Sequence, residues 1–209
     1  MPNSTKRPRG RPRRFDKAEA LQLASEVFRR QGYAGTSIDN LTEAMRISKP
    51  SLYGTYGDKA QLYLLALEAF AERMGTAAAQ ALNHEEPLQA AIVRYLDSVL
   101  DIYFDDGDQG LGCLIMSTAA TEAPCQPTVR DFLADVLARA DDIVARRIQK
   151  ERGVSKSKLS HSDIALARIV TGILISLGTR ARSGESREEL HKVIVSTAGI
   201  VSGATPLRN

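Results

Sequence analysis

Residues 36–59 read TSIDNLTEAMRISKPSLYGTYGDK, from Thr36 to Lys59, and the rest of the chain is understood outward from them. Ile38, Leu41 and Ala44/Met45 recur at helical spacing, so one face of this segment is buried. Thr36 or Ser37 is placed to cap its start, because either hydroxyl can accept from an amide of the first turn. Arg46-Ile47 forms a turn, with Ile47 pointing back into the core. Ser48 caps a second short helix, and Pro50 occupies its first turn, where a missing amide does no harm. Leu52 packs inward, which leaves Lys49, Ser51 and Tyr53 facing out. A short polar helix held between two apolar supports is how a helix-turn-helix enters a DNA groove. Lys49 suits a guanine edge or a phosphate, Ser51 is a short donor, and Tyr53 suits a phosphate or a thymine methyl. Taken alone, the pattern also fits an ordinary three-helix surface with a solvated polar face.

The flanks favour the first reading. Residues 15–32 predict one amphipathic helix, capped by Asp16 with Glu19 in capping-box position. Its inward stripe is Leu21, Ala24 and Val27/Phe28, and Gly32 ends it. Downstream, Asp58 caps a long helix to about Leu82 that carries Leu62, Leu65, Ala69 and Met74.

On Ala24 to Gly35 (ASEVFRRQGYAG), Thr36-Ser37 and Ser48 to Lys59 (SKPSLYGTYGDK), the chain resembles the TetR family of bacterial transcriptional regulators. The clear match covers residues 13 to about 65, and the remainder matches in its all-helical layout and size. The resemblance implies an all-α fold: an N-terminal three-helix helix-turn-helix domain plus a larger helical domain for ligand binding and dimerisation. It also implies a homodimer on a palindromic operator, with a small molecule in the C-terminal domain that weakens DNA binding. Candidate DNA contacts are then Thr36, Ser37, Arg46, Ser48, Lys49 and Pro50, followed by Ser51, Tyr53, Thr55, Tyr56 and Lys59. Arg46 departs from the family, which usually has Gly at the turn. If left-handed it costs on the order of 1 kcal/mol, and its guanidinium offers a phosphate contact in return.

A chain of 209 residues, 43% hydrophobic and 25% charged, can bury a sizeable core in one or two domains. The organisation expected is a flexible basic arm at 1–14, the helix-turn-helix domain at 15–60, and the effector-binding and dimerisation domain at 61–209. No apolar run reaches the ~18 residues of a membrane span. The basic N-terminus lacks the apolar stretch of a secretory signal, so the cytoplasm is expected.

Net charge is only +3, but it is unevenly placed. Residues 1–14 carry Lys6, Arg7, Arg9, Arg11, Arg13 and Arg14 and no acid, beside the helix-turn-helix where phosphates would need them. Pro8-Arg9-Gly10-Arg11-Pro12 matches the core of the AT-hook, a minor-groove motif. Proline keeps the arm extended, Gly lets the backbone sit deep, and two arginines follow the potential of a narrow A·T groove. A basic tail making nonspecific phosphate contacts fits the same residues, and a processing leftover remains a third reading.

Cys113 and Cys125 fit no zinc spacing, and no His accompanies them, so no metal is expected. Both read as small buried apolar residues. The alternative is a redox or electrophile sensor at Cys113, in the Gly110-Leu-Gly-Cys113 loop.

Residues 58–203 predict helices at 58–82, 86–104, 112–121, 127–152, 161–182 and 185–203. The last two carry broad apolar faces. Leu166, Ile169, Val170, Ile173, Leu174 and Leu177, thinned by Gly172, Ser176 and Gly178, form one. Leu190, Val193, Ile194, Thr197, Ile200 and Val201 form the other. Two such helices per subunit build a four-helix dimer interface, or else pack inside one monomer. The middle helices should surround a pocket for a small hydrophobic effector. Its candidate walls are Phe70, Met74, Tyr95, Tyr103, Cys113, Met116, Phe132 and Thr171, with Thr118 and Thr121 as further polar groups, although plain core explains any one of them as well.

No catalytic constellation is found. His84, His161 and His191 are scattered, and Asp105-Asp106 and Asp141-Asp142 read as solvated turn and helix surface. No phosphate loop is present and no cofactor is expected. An architectural DNA-binding protein explains the arm but not a large apolar domain. A helical enzyme or carrier explains a pocket but not residues 48–59.

Overall fold

The structure, a computed structural model, describes residues 16–105, 107, 109–153 and 159–203. Arg9, Arg11, Arg13 and Arg14 of the basic arm, the expected helix start at Phe15, and Asp106 lie outside these residues. Among the described residues all regular structure is helical.

Helix α1 spans Lys17–Gly35, with Asp16 accepting from the Ala18 and Glu19 amides at its start. Gly32, at φ 72° and ψ 171°, interrupts it three residues before its end, in a region that favours glycine. Helix α2 spans Ile38–Met45. Ser37, not Thr36, caps it, and Asn40 returns the bond to the Ser37 amide in a capping box. Arg46 is left-handed, at φ 55° and ψ 42°. The turn is closed from both sides, because the Arg46 amide reaches the Glu43 carbonyl and the Ile47 amide the Thr42 carbonyl. Helix α3, Lys49–Tyr56, starts from the Ser48 cap. Helix α4, Lys59–Leu82, starts from a capping box of Asp58 and Gln61. Ala24, Phe28, Leu41, Met45 and Leu52 close the three-helix core. Each large apolar member contributes roughly 1.5–3 kcal/mol by burial.

The stripe expected on α4 is out of register. Its buried residues include Leu62, Tyr63, Ala66, Leu67 and Phe70, whereas Leu65 is 37% exposed. Two apolar residues in a row leave periodicity unable to choose between them, and packing chose Tyr63 and Ala66.

Helix α5, Leu88–Tyr103, runs back along α4. A helix was expected over 112–121. Instead, residues 110–113 have no regular structure, Ile115–Ala119 makes a wide π-helical turn, and the short α6, Ala120–Glu122, follows. Ser117 and Thr118 donate to the carbonyls of Cys113 and Leu114, each at 2.6 Å, and this side-chain bonding accompanies the widened turn. Helix α7 is Pro127–Glu151, α8 is His161–Arg182 and α9 is Arg187–Ser202.

This segment packs closely on α8, Gly110 against Ala181 and Gly112 against Gly178. Gly112 has φ 67°, and a Cβ there would stand 2.3 Å from the Gly178 carbonyl oxygen. Gly178 is itself buried against Cys113 and Tyr103. Its small size therefore serves this internal contact and not a dimer face, as had been expected. Val170, Leu174 and Leu177 turn inward on α8, while Ile169 is 50% exposed. On α9, Leu190, Ile194 and Val201 turn inward and Ile200 is 67% exposed. Helix α8 has the length and hydropathy to cross a bilayer, yet one face is committed to this core and its end carries Arg180 and Arg182.

Candidate nucleic-acid interface and the cavity behind it

Helix α3 presents Lys49, Pro50, Ser51 and Tyr53 to solvent, with Thr55 and Lys59 half-buried beside them. Arg46 is exposed at the turn before it. The Ser48 and Ser51 hydroxyls lie 2.9 Å apart, so part of the Ser51 bonding capacity is spent locally. Lys49 Nζ is 2.5 Å from the Asp39 carboxylate on α2, and the hydrogen bond and charge of that partner raise its pKa. Both side chains are exposed, so the pair is a weak tether that a phosphate can replace. Lys59 stacks its ammonium 4.4 Å from the Tyr33 ring centre.

Two residues expected at the interface are turned inward. Thr36 is buried and its hydroxyl donates to the Gly32 carbonyl at 2.6 Å. Tyr56 is buried and its hydroxyl donates to the Lys17 carbonyl at 3.0 Å. The Thr36 bond is local, closing the end of α1 four residues back, whereas the Tyr56 hydroxyl ties the start of α1 to α3, a need that local sequence does not reveal.

The three-helix unit is fastened to the larger helical layer by a residue not singled out above. The Arg29 side chain, near the end of α1, is 2% exposed. Its guanidinium donates to Asp105 Oδ1 at 2.9 Å, to the Ile102 carbonyl at 3.1 Å and to the Gly112 carbonyl at 2.9 Å. It also lies 5.4 Å from the Phe70 ring centre. Arg73 of α4 holds the other Asp105 oxygen at 2.5 Å. Burial pulls the Asp105 carboxyl upward, but the hydrogen bonds and charges of Arg73 and Arg29 outweigh it and leave the pKa lowered. Asp105 is thus a bridge and not the solvated turn residue expected. Arg182, at the end of α8, donates to the carbonyls of Arg29 and Leu111. The one sequence signal was a cation at the edge of the α1 stripe, four residues after the buried Ser25.

Behind this junction a cavity of about 420 Å³ opens between α4, α5, α7 and α8. Of the expected walls, Met74, Tyr95, Tyr103, Cys113, Met116 and Thr171 line it. Phe70 does not, because it packs at Arg29, and Phe132 packs against the core from outside the cavity wall. Val136, Leu137, Ile143, Leu174 and Ile175 add apolar walls that were not foreseen. Thr118 is also elsewhere, sharing a 2.7 Å hydrogen bond with the Tyr63 hydroxyl, whose pKa burial pushes up to about 12.

Cys113 is buried, and burial pushes its thiol pKa upward, which disfavours the thiolate a sensor needs. Cys125, expected to be buried, is exposed at the end of the short turn after α6. His191 pairs with Asp97 at 2.8 Å. Among the described residues no cluster of His, Cys, Asp or Glu could hold a metal ion.

Residues 20–67 match the family model described as bacterial regulatory proteins, tetR family. Across 197 residues the chain is 27% identical to the HTH-type transcriptional repressor ComR of Escherichia coli K12, covering 92% of this chain and 91% of ComR. It is 25% identical over 185 residues to the repressor BdcR of the same organism, covering 87% and 86%. Among solved structures it is similar to the TetR family regulator CifR, a cysteine mutant complexed with 26-bp operator DNA. Identity is 28% and the TM-score 0.77, over 90% of this chain and 98% of CifR. Residues 20–67 thus carry the helix-turn-helix domain of the tetR family, and along most of its length the chain is similar to TetR family transcriptional regulators.

Proposed function

We propose that the protein is a homodimeric, cytoplasmic repressor that binds a palindromic operator and is released by a small, largely apolar effector. The observation that carries this reading is the double duty of α4. Its first residue, Lys59, follows the recognition helix by three positions, and its middle, from Ala71 to Ala79, walls the cavity. A ligand lodged there displaces the element that sets the position of α3.

Lys49, Ser51, Tyr53 and Thr55 read the major groove, with Arg46, Ser48, Pro50 and Lys59 near the backbone and Ser37 fixing the first helix. Arg9, Arg11, Arg13 and Arg14 add phosphate or minor-groove contacts. Repression is favoured by the curated names of ComR and BdcR. The exposed Ile169 of α8 and Ile200 of α9, beside the open Gly172, support a four-helix dimer interface between copies. The division at residue 60 is functional, since buried residues run continuously from Ala20 to Val201.

The test is reciprocity. An effector that weakens operator binding by some factor must itself be weakened by operator by the same factor, typically worth ~1–3 kcal/mol. Effector titrated with and without operator should show it. A cavity ligand that leaves operator affinity untouched would refute the coupling. A footprint of two half-sites tests the dimer, and deletion of residues 1–12 should flatten the salt slope by up to about 0.9 per lost phosphate contact.

A further inference from the structure

We propose that the effector cavity takes an uncharged, mostly apolar molecule bearing one hydrogen-bond acceptor, such as a carbonyl, which the Tyr95 hydroxyl binds. The proposal rests on reading the cavity as the effector site and specifies the chemistry of its occupant.

Three observations carry it. Tyr95 lines the cavity, is only 3% exposed, and its hydroxyl has no hydrogen-bond partner among the described residues. The hydroxyl opens onto the cavity and is not among the sealed polar atoms left without a partner, so a ligand acceptor would take the place of water at this donor. Its neighbours are already engaged: the Tyr103 hydroxyl donates to the Leu174 carbonyl at 3.3 Å, and the Thr171 hydroxyl donates to Asp141 at 2.6 Å. Thr76 also lines the cavity but is exposed to solvent, which leaves Tyr95 as the buried tyrosine or threonine hydroxyl of this wall free to donate.

The second observation is the charge inventory. Arg139 lines the cavity but is exposed and pairs with Asp135 at 2.9 Å. Glu72 lies at the exposed edge of α4. Among the described residues that line the cavity no buried cation faces the interior to meet a carboxylate, and Asp141, behind Thr171, already accepts from Arg168. A charged ligand would lose its hydration without a counterion, whereas a neutral one would not. The third is size. At roughly 30 Å³ per water-sized group, 420 Å³ admits about a dozen non-hydrogen atoms.

Four probes of that size separate the terms: propylbenzene, propiophenone, 3-phenylpropanoate and 3-phenylpropylamine. Binding to the full-length protein is measured by titration calorimetry, with Tyr95→Phe and the cavity-filling Ala140→Phe as variants. The ketone should bind, both ions should bind at least about 10-fold more weakly, and Ala140→Phe should abolish all binding. In Tyr95→Phe the ketone-to-hydrocarbon affinity ratio should fall about 3- to 10-fold with propylbenzene binding unchanged. The melting temperature of Tyr95→Phe should not drop, because no protein hydrogen bond is removed. An unchanged ratio, or an ion that outcompetes the ketone, overturns the proposal while the cavity remains a ligand site. Failure of every probe to bind, or binding that survives Ala140→Phe, removes the cavity as a ligand site and the proposal with it.

Discussion

The helix-turn-helix and the junction behind it are built by opposite means. In residues 36–59 the polar contacts that start the helices are local: Ser37 with Asn40, Ser48 with Ser51, Asp58 with Gln61, each three residues apart, and the Tyr56 hydroxyl alone among the contacts described above reaches far, to Lys17. At the junction the contacts are remote. Arg29 reaches Asp105 across 76 positions, and Arg182 reaches the Arg29 carbonyl across 153. Local contacts form wherever the sequence occurs, whereas remote ones exist only once the whole chain has folded. The module that reads DNA can therefore hold its own shape, while its attachment depends on the layer that holds the cavity. That division suits a regulator, because a ligand can shift the attachment without unmaking the reading surface.

The comparison breaks first at Arg29. Arg29→Met leaves Asp105 and the carbonyls of Ile102 and Gly112 facing an apolar side chain. It should cost about 3–5 kcal/mol in urea unfolding, the scale of removing one partner from a buried pair. A cost under about 1 kcal/mol would mean that the junction is held by apolar packing alone.

Gly112→Ala tests the same seam through the backbone. It imposes a left-handed alanine, and its Cβ meets the Gly178 carbonyl at 2.3 Å. The strain and overpacking together should cost about 2–4 kcal/mol, read by the same melts. If stability is retained, residues 110–113 can leave α8 without penalty and cannot be the seam described here.

On the reading surface the effect should reverse, large for DNA and small for folding. Lys49→Ala should weaken operator binding roughly 5- to 150-fold, the range for a base-reading contact, and leave the urea midpoint in place. Equal loss on scrambled DNA would make Lys49 a phosphate contact instead.

Acid should act on the junction. The folded Asp105 carboxyl titrates below its unfolded counterpart. Its stabilising contribution is therefore complete above the ordinary carboxylate range, about pH 4–5, and fades as pH falls through the lowered folded value. Asp105→Asn should flatten that acid limb of the stability curve. A limb of unchanged slope would place the titration elsewhere.

The smallest effect should come from Asp39→Asn. Asp39 is exposed and, among the described residues, its carboxylate pairs with Lys49. Removing its charge should raise DNA affinity about 2- to 3-fold at low salt, with the gain shrinking as salt screens it. A loss of affinity would show that Asp39 positions Lys49 rather than competing for it.

What the sequence determined by itself follows the same line. Caps, turns and helix starts were legible because they rest on hydroxyls, carboxylates and prolines within a few residues of where they act. Ser48, Asp58 and the left-handed Arg46 are all where local chemistry puts them. The all-helical layout was legible from periodicity, and four cavity walls, Met74, Tyr95, Tyr103 and Met116, from the clustering of aromatic and soft side chains. The tertiary structure alone decided which of two adjacent apolar residues turned inward, as with Leu65 against Ala66. It alone buried the hydroxyls of Thr36 and Tyr56, placed Phe70 over Arg29 and set Gly178 under Gly112. A cap is chosen by neighbours three residues away, but burial is chosen by whatever the fold brings alongside, and that partner has no mark at the residue it buries.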